Sequence, residues 1–316
     1  AMSRILTVTL NPALDLSTQT PAVDPDLKLR CDAPNRDPGG GGVNVSRAIA
    51  KLGGESISLV ALGGPTGVDL RALLEAEGIV PVDLGPEVET RQSLTVTETG
   101  TGRQFRFVMP GGAWAAQDIE RAMAKIAEVA RPGDLLVPSG SQPPGVHQDV
   151  FLELNASLAS TGVRMILDTS GPALAAAADA PRAPLAVLRM DHHEAEGLMA
   201  RPLPNPDARA EAASELVARG AAEIVAIAGG ADGTVVATDA GAWNCPAPLV
   251  PVVSRVGAGD SFVAGMVLAL HRGSVAAEAC AWGVAAASSA VMTPDTQLCT
   301  QADTERCFAQ IKISAF

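Results

Sequence analysis

The chain has 316 residues, 47% hydrophobic and 18% charged, which is enough to bury a sizeable core without metal or disulfide support. A formal net charge of −12 argues against nucleic acid or a membrane surface as a partner and leaves only local basic pockets for anionic ligands. Five cysteines with no CxxC, and with no paired spacing to the four histidines, argue against a zinc site or a disulfide framework and point to reduced thiols in the cytoplasm.

Taken in chain order, short β-rich apolar runs alternate with Ala- and Leu-rich helical runs. A strand is expected at 5–10, followed by an irregular stretch at 11–37. A glycine turn then opens a helix at 43–52, and a strand at 57–61 leads to a helix at 70–77. The stretch 91–110 alternates polar and apolar residues, turns at Gly100-Thr101-Gly102 and alternates again, which reads as a hairpin. Beyond it come a helix at 118–130, a strand at 135–138, a helix at 147–160 and strands at 165–168 and 186–188. A helix at 207–219, a strand at 224–228 and helices at 260–270 and 275–291 complete the pattern. No apolar run is long enough to cross a membrane, no signal peptide is expected before the first strand, and no linker divides the chain. The pattern predicts a doubly wound, mostly parallel sheet flanked by helices, built as one domain over 1–316. The segments at about 11–37 and 91–110 are foreign to such a core. They would form either a small β lid over a site or an ordinary extension of the sheet edge.

Two glycine-rich runs carry the chemistry. Gly257-Ala258-Gly259-Asp260-Ser261 precedes a helical run, so its backbone N–H groups and the helix dipole offer a seat for a phosphoryl group. Asp260 beside that seat could accept a hydroxyl proton, or it could simply cap the helix. Gly39-Gly40-Gly41-Gly42-Val43-Asn44 lets the main chain approach a ligand and adds the Asn44 amide. It matches neither the dinucleotide fingerprint nor a Walker A loop, and alone it is compatible with a bare turn. Polar residues gather after predicted strands at Asn11 and Asp15, at 139–144, at 168–171 and at 191–194, where α/β proteins bind ligands. His192 and His193 lack a third metal ligand at suitable spacing and read as surface residues.

In their order, these pieces resemble the ribokinase-like PfkB family of carbohydrate kinases. The resemblance rests on 39–44 and 257–260 as its two signatures, and on 7–15, 28–31, 90–92, 104–110 and 139–145. It is nearest to the bacterial 6-phosphofructokinase branch. It implies a ribokinase-like fold and an ATP-dependent sugar-phosphate kinase that makes fructose 1,6-bisphosphate from fructose 6-phosphate. Fructose 1-phosphate or tagatose 6-phosphate stand as alternative acceptors. The resemblance makes Asp260 the general base, with the amides of Gly257, Ala258 and Gly259 on the transferring phosphoryl group. Asp15, Gly40, Gly41 and Asn44 would hold the sugar, and Lys28, Arg91, Arg106 and Ser139 its phosphate. ATP would lie over Arg189, Ala228, Gly230, Gly233, Gly257 and Gly259. Mg²⁺ would accompany the ATP, with Asp191 and Glu194 touching it through water. The lid would join two chains as a homodimer.

Several positions depart from that family's pattern. Arg189, Met190 and Asp191 stand where Lys-Pro-Asn is usual, Ala228 replaces a hydroxyl residue, and Arg255 replaces a small hydroxyl residue. Asp295 and Gln297 replace a glycine and an arginine near a monovalent-cation loop, so cation dependence is left open. All of these changes lie on the nucleotide side, while the sugar-phosphate side looks intact. That asymmetry keeps a weakly active or non-catalytic sugar-phosphate binding protein as a reading of a different class.

Overall fold

The computed structural model describes residues 3–179, 183–294 and 296–316. The first half runs β1 (Ile5–Thr9), β2 (Ala13–Thr20), β3 (Asn35–Gly39), α1 (Gly41–Lys51), β4 (Ile57–Val60), α2 (Gly64–Ala76), β5 (Val82–Asp83), β6 (Arg91–Glu98), β7 (Gln104–Val108), α3 (Ala116–Val129), β8 (Leu135–Pro138) and α4 (Val150–Leu158). The second half runs β9 (Arg164–Asp168), α5 (Gly171–Asp179), β10 (Leu185–Asp191), α6 (His192–Met199), α7 (Pro206–Ala218), β11 (Ala222–Ala228), β12 (Thr234–Thr238), β13 (Gly241–Cys245), α8 (Ala258–His271), α9 (Ala276–Val291), α10 (Gln301–Phe308) and β14 (Ser314–Ala315).

The main sheet has the order β14-β13-β12-β11-β10-β9-β8-β1-β4-β5. From β11 to β5 every pairing is parallel, whereas β12, β13 and β14 add an antiparallel edge. Side chains alternate between two helical layers, as the period of two requires. Leu136, Met165, Leu167, Leu188, Val225 and Ile227 face one layer, with Ile126, Leu154 and Leu216 from its helices. Val137, Ile166, Val187, Ile224 and Ala226 face the other, where α1, α8 and α9 contribute Ile49, Phe262, Met266 and Val284. Both faces are apolar, which is why these strands read as continuous hydrophobic runs.

The predicted architecture therefore stands, with bounds shifted at several ends. The helix expected at 147–160 begins at Val150, and the one expected at 70–77 begins at Gly64, with Pro65 in its first turn. The antiparallel edge and helices α5, α6 and α10 carried no strong period and went unpredicted. The two foreign stretches do pair: β3-β2-β6-β7 form a separate four-stranded sheet, with β2 and β6 parallel along eight residues and the other pairings antiparallel. Among the described residues no helix is long and apolar enough to cross a membrane.

Candidate active site

The two glycine runs, more than two hundred residues apart in sequence, meet in space: Asn44 Nδ2 donates to Asp260 Oδ2 at 2.9 Å, across a separation of 216 residues. Each run is placed by backbone geometry. Gly41 begins α1 where that helix abuts the end of β8; a Cβ there would stand 2.6 Å from the Gly140 nitrogen and the Ser139 carbonyl carbon. The Gly42 amide donates to the Ser139 carbonyl at 3.1 Å, locking the two segments together. Gly257 starts α8 with φ +75°, a left-handed conformation that favours glycine. Asp260 then lies in the first turn of α8, beside backbone N–H groups that the helix leaves unpaired.

Around Asp260 the charges are mixed. Burial is the main influence raising its pKa to about 7, and Asp168 adds to the rise; the Asn44 hydrogen bond and Arg189 pull the other way. Asp15 contributes a weaker rise. The result is a carboxylate held near neutrality, the range suited to a general base at physiological pH. Its side chain is not an N-cap: the residue preceding α8 is Gly257, and no side chain caps that end. The capping alternative for Asp260 fails on this geometry.

Asp168, at the end of β9, organises the neighbouring strand ends. Its Oδ2 accepts from Ser139 Oγ at 2.8 Å and its Oδ1 from Arg189 Nη1 at 3.3 Å. Arg189 also lies 5.7 Å from the Phe262 ring centroid and packs against Gly259. The sequence grouped Asp168 with the polar residues gathered after predicted strands and gave it no role of its own; its central position shows once β8, β9 and β10 are adjacent.

Two cavities flank the segment that leads into α8. The first, of about 240 Å³, is lined by Asp15, Asp37, Gly40, Arg91 and Arg106, with Ser254 and Thr296 from the core side. Asp15 is buried enough that its pKa rises to about 6, against the opposing pull of Arg91 and Arg106 and with the Asp37 charge adding to the rise. The small sheet thus presents two guanidinium groups and two carboxylates to one cavity, a set able to bind a polyhydroxylated anion. Asp37 was not singled out in the sequence. Ser139 is buried beside Asp168 instead of lining this cavity. Lys28 lies on the exposed segment between β2 and β3 and does not line the cavity. That segment is tied to β2 by Thr18 Oγ1 donating to the Asp32 carbonyl and Thr20 Oγ1 donating to the Arg30 carbonyl.

The second cavity, of about 440 Å³, is lined by Arg189, Ala228, Gly230, Gly233, Ala258 and Gly259, together with Arg255. Its far wall is apolar, with Val250, Val252, Val284 and Val291, which suits a flat heterocycle, while its two arginines suit phosphates. All the residues expected to bind nucleotide, save Gly257, line this one space.

Asp191 and Glu194 were expected to touch Mg²⁺. They form a reciprocal capping box at the start of α6: Glu194 N donates to Asp191 Oδ1 at 2.8 Å, and Asp191 N donates to Glu194 Oε2 at 2.9 Å. Burial also raises the Glu194 pKa. The box occupies one oxygen of each carboxylate, Asp191 Oδ1 and Glu194 Oε2. Among the described residues no group of three or more His, Cys, Asp or Glu side chains could hold a metal ion. Asp295, expected near a cation loop, lies outside the described residues.

Comparison with known proteins agrees with this geometry. The pfkB family carbohydrate kinase pattern matches residues 9–303. The chain is 38% identical over 310 residues to ATP-dependent 6-phosphofructokinase isozyme 2 of Escherichia coli (strain K12), covering 98% of this chain and 99% of that one. It is 33% identical over 278 residues to a 1-phosphofructokinase of Xanthomonas campestris, covering 87% of each. Among solved structures, phosphofructokinase-2 from Escherichia coli superposes with a TM-score of 0.92 in its potassium complex, covering 98% of this chain and 99% of that one. The same enzyme superposes at 0.90 in complex with fructose-6-phosphate and at 0.90 in its tetrameric inhibited form, with the same coverage and 38% identity.

Proposed function

The chain belongs to the pfkB family of carbohydrate kinases, and from that premise we propose that it is an ATP-dependent 6-phosphofructokinase working in the cytoplasm. The observation that carries this reading is a pair of cavities on either side of the segment that leads into α8, in whose first turn Asp260 sits: one presents two guanidinium groups and two carboxylates, the other apolar walls and two arginines.

In this account fructose 6-phosphate enters the first cavity. Arg91 and Arg106 take its phosphate, while Asp15, Asn44 and the amides of Gly40 and Gly41 take its hydroxyls. Lys28 is the member of the phosphate set that must move inward to reach it. Asp260 receives the proton of the 1-hydroxyl as that oxygen attacks the γ-phosphorus of ATP. The N–H groups of Gly257, Ala258 and Gly259, backed by the α8 dipole, steady the charge on the transferring phosphoryl group. Arg189 and Arg255 draw the remaining phosphates toward the same turn. Magnesium supplies charge neutralisation on the nucleotide phosphates when bound. The donor set fits an ion carried mainly by those phosphates, because the capping box leaves Asp191 one carboxylate oxygen for a water-mediated contact.

The small sheet acts here as a lid of the single kinase domain. It bears Leu27, Leu29, Phe107, Val108 and Met109 exposed, the apolar surface through which two chains would pair as a dimer. The relative's tetrameric inhibited form leaves room for higher assembly. A coupled ADP-release assay over fructose 6-phosphate, fructose 1-phosphate, tagatose 6-phosphate and unphosphorylated sugars tests the acceptor. Highest kcat/KM with fructose 6-phosphate supports the reading, and preference for fructose 1-phosphate would move the chain to the 1-phosphofructokinase branch. Sugar-phosphate binding without any turnover would instead favour the non-catalytic reading.

A further inference from the structure

We propose that Arg47 is a positioning residue that fixes the Asn44 amide in the one orientation able to support the catalytic carboxylate. The inference rests on Asp260 being the general base. Arg47 projects from α1 and is 5% exposed, an unusual place for a charge. It is held by a two-point ion pair with Glu77 at the end of α2: Nε donates to Oε2 at 2.8 Å and Nη2 to Oε1 at 2.9 Å. With that fork fixed, its remaining nitrogen, Nη1, lies 3.3 Å from each of three oxygens: the Pro38 carbonyl, the Thr296 carbonyl and Asn44 Oδ1.

The last of these contacts carries the consequence. A guanidinium can only donate hydrogen bonds, so Asn44 must turn its carbonyl oxygen toward Arg47. Its NH₂ is then forced toward Asp260, where Nδ2 donates to Oδ2 at 2.9 Å. A free amide could rotate by half a turn and accept a proton from a protonated Asp260 as readily as it donates to the ionised form. The locked amide offers only a donor, which the ionised carboxylate accepts more strongly than the protonated acid does. The line Glu77–Arg47–Asn44–Asp260 therefore biases the base toward its working state, while also tying the glycine turn at Pro38 to the loop at Thr296. Asp168 and Asp15 face Asp260 with charge that opposes ionisation, and Arg189 with charge that favours it. The Arg47 charge also lowers the Asp15 pKa.

The test is the pH dependence of kcat/KM for fructose 6-phosphate in the wild-type protein, Arg47→Met, Glu77→Gln and Asp260→Asn. Arg47→Met is expected to move the acidic limb upward by about 0.5–1 pH unit, the scale of losing one directed hydrogen bond to the charged form. Its kcat should fall about two- to fivefold near neutrality, with the KM for ATP within about twofold. Glu77→Gln, which keeps the guanidinium but loosens its fork, should move the limb in the same direction by less. A lower melting temperature with an unchanged limb in both variants would reduce Arg47 to a structural brace and overturn the inference. Should Arg47→Met fail to fold, the Glu77→Gln limb decides alone. Asp260→Asn separates the two levels: full activity in that variant defeats the base assignment itself, whereas its inactivity together with unmoved limbs defeats only the positioning role.

Discussion

In Asp260→Asn a carboxylate at the head of α8 gives way to a neutral amide of nearly the same shape. Asp260 has a folded pKa of about 7 against an ordinary value of 3.8, raised chiefly by burial. Because the folded value is the higher one, the associated stability is fully present below about 3.8 and is lost as pH rises through about 7. From pH 5 to the folded pKa is about two units, an upper bound of ~2.7 kcal/mol at ~1.36 kcal/mol per unit. Asp260 is only part-buried by surface area, so solvent screening reduces this to about 1 kcal/mol. The variant carries no such group and escapes the loss. Asp15 titrates nearby in both proteins and cancels in the comparison. Melting temperatures of wild type and variant, measured at pH 5 and pH 8, check the argument. The variant's advantage should grow by about 2–4 °C between the two, taking ~2–4 °C per kcal/mol for a chain of this class. An advantage that is equal or smaller at pH 8 would refute the claim that burial raises this carboxylate.

Arg91→Ala should raise the KM for the sugar phosphate by roughly ten- to a hundredfold, the scale of one hydrogen bond to a charged group, and leave the KM for ATP nearly unchanged; an effect confined to ATP would remove Arg91 from the first cavity. Arg189→Ala should show the reverse pattern, an ATP KM raised by about tenfold, which steady-state titration of both substrates would reveal. Gly41→Ala would press a methyl group onto the Ser139–Gly140 backbone at 2.6 Å, so a stability loss of about 1–3 kcal/mol by chemical denaturation is expected, with a fall in kcat/KM. Unaltered stability there would mean that the two strand ends can separate without consequence.

The legible part of this protein was whatever repeats with a period or sits in one continuous run. Parallel strands buried on both faces spell themselves out as apolar runs, so β1, β4, β8 to β11 and their main helices emerged with only end shifts. The antiparallel edge escaped because β13 (GAWNC) carries neither a continuous apolar run nor a one-face period, and β14 is two exposed residues. The nucleotide side came from the family resemblance, and its residues, save Gly257, line one cavity. The sugar side was less legible: Asp37 joins Asp15 only because β3 pairs antiparallel with β2 in register. Asp191 and Glu194 owed their expected metal role to the resemblance; their i, i+3 spacing is also the signature of a capping box, which α6 uses at its start. Arg47 and Glu77 were invisible because a 30-residue separation carries no period; the available hint was a lone arginine in an otherwise small and apolar helix.

The most direct measurement is the rate of ADP release with ATP and fructose 6-phosphate for wild type and Asp260→Asn, alongside binding of the sugar phosphate by calorimetry. Wild type should turn over in strict dependence on the sugar phosphate. The variant should bind it with similar affinity and turn over at least ~10²-fold more slowly, the lower range for losing a general base. Equal rates in the two proteins, or ADP release indifferent to the sugar phosphate, would contradict the account.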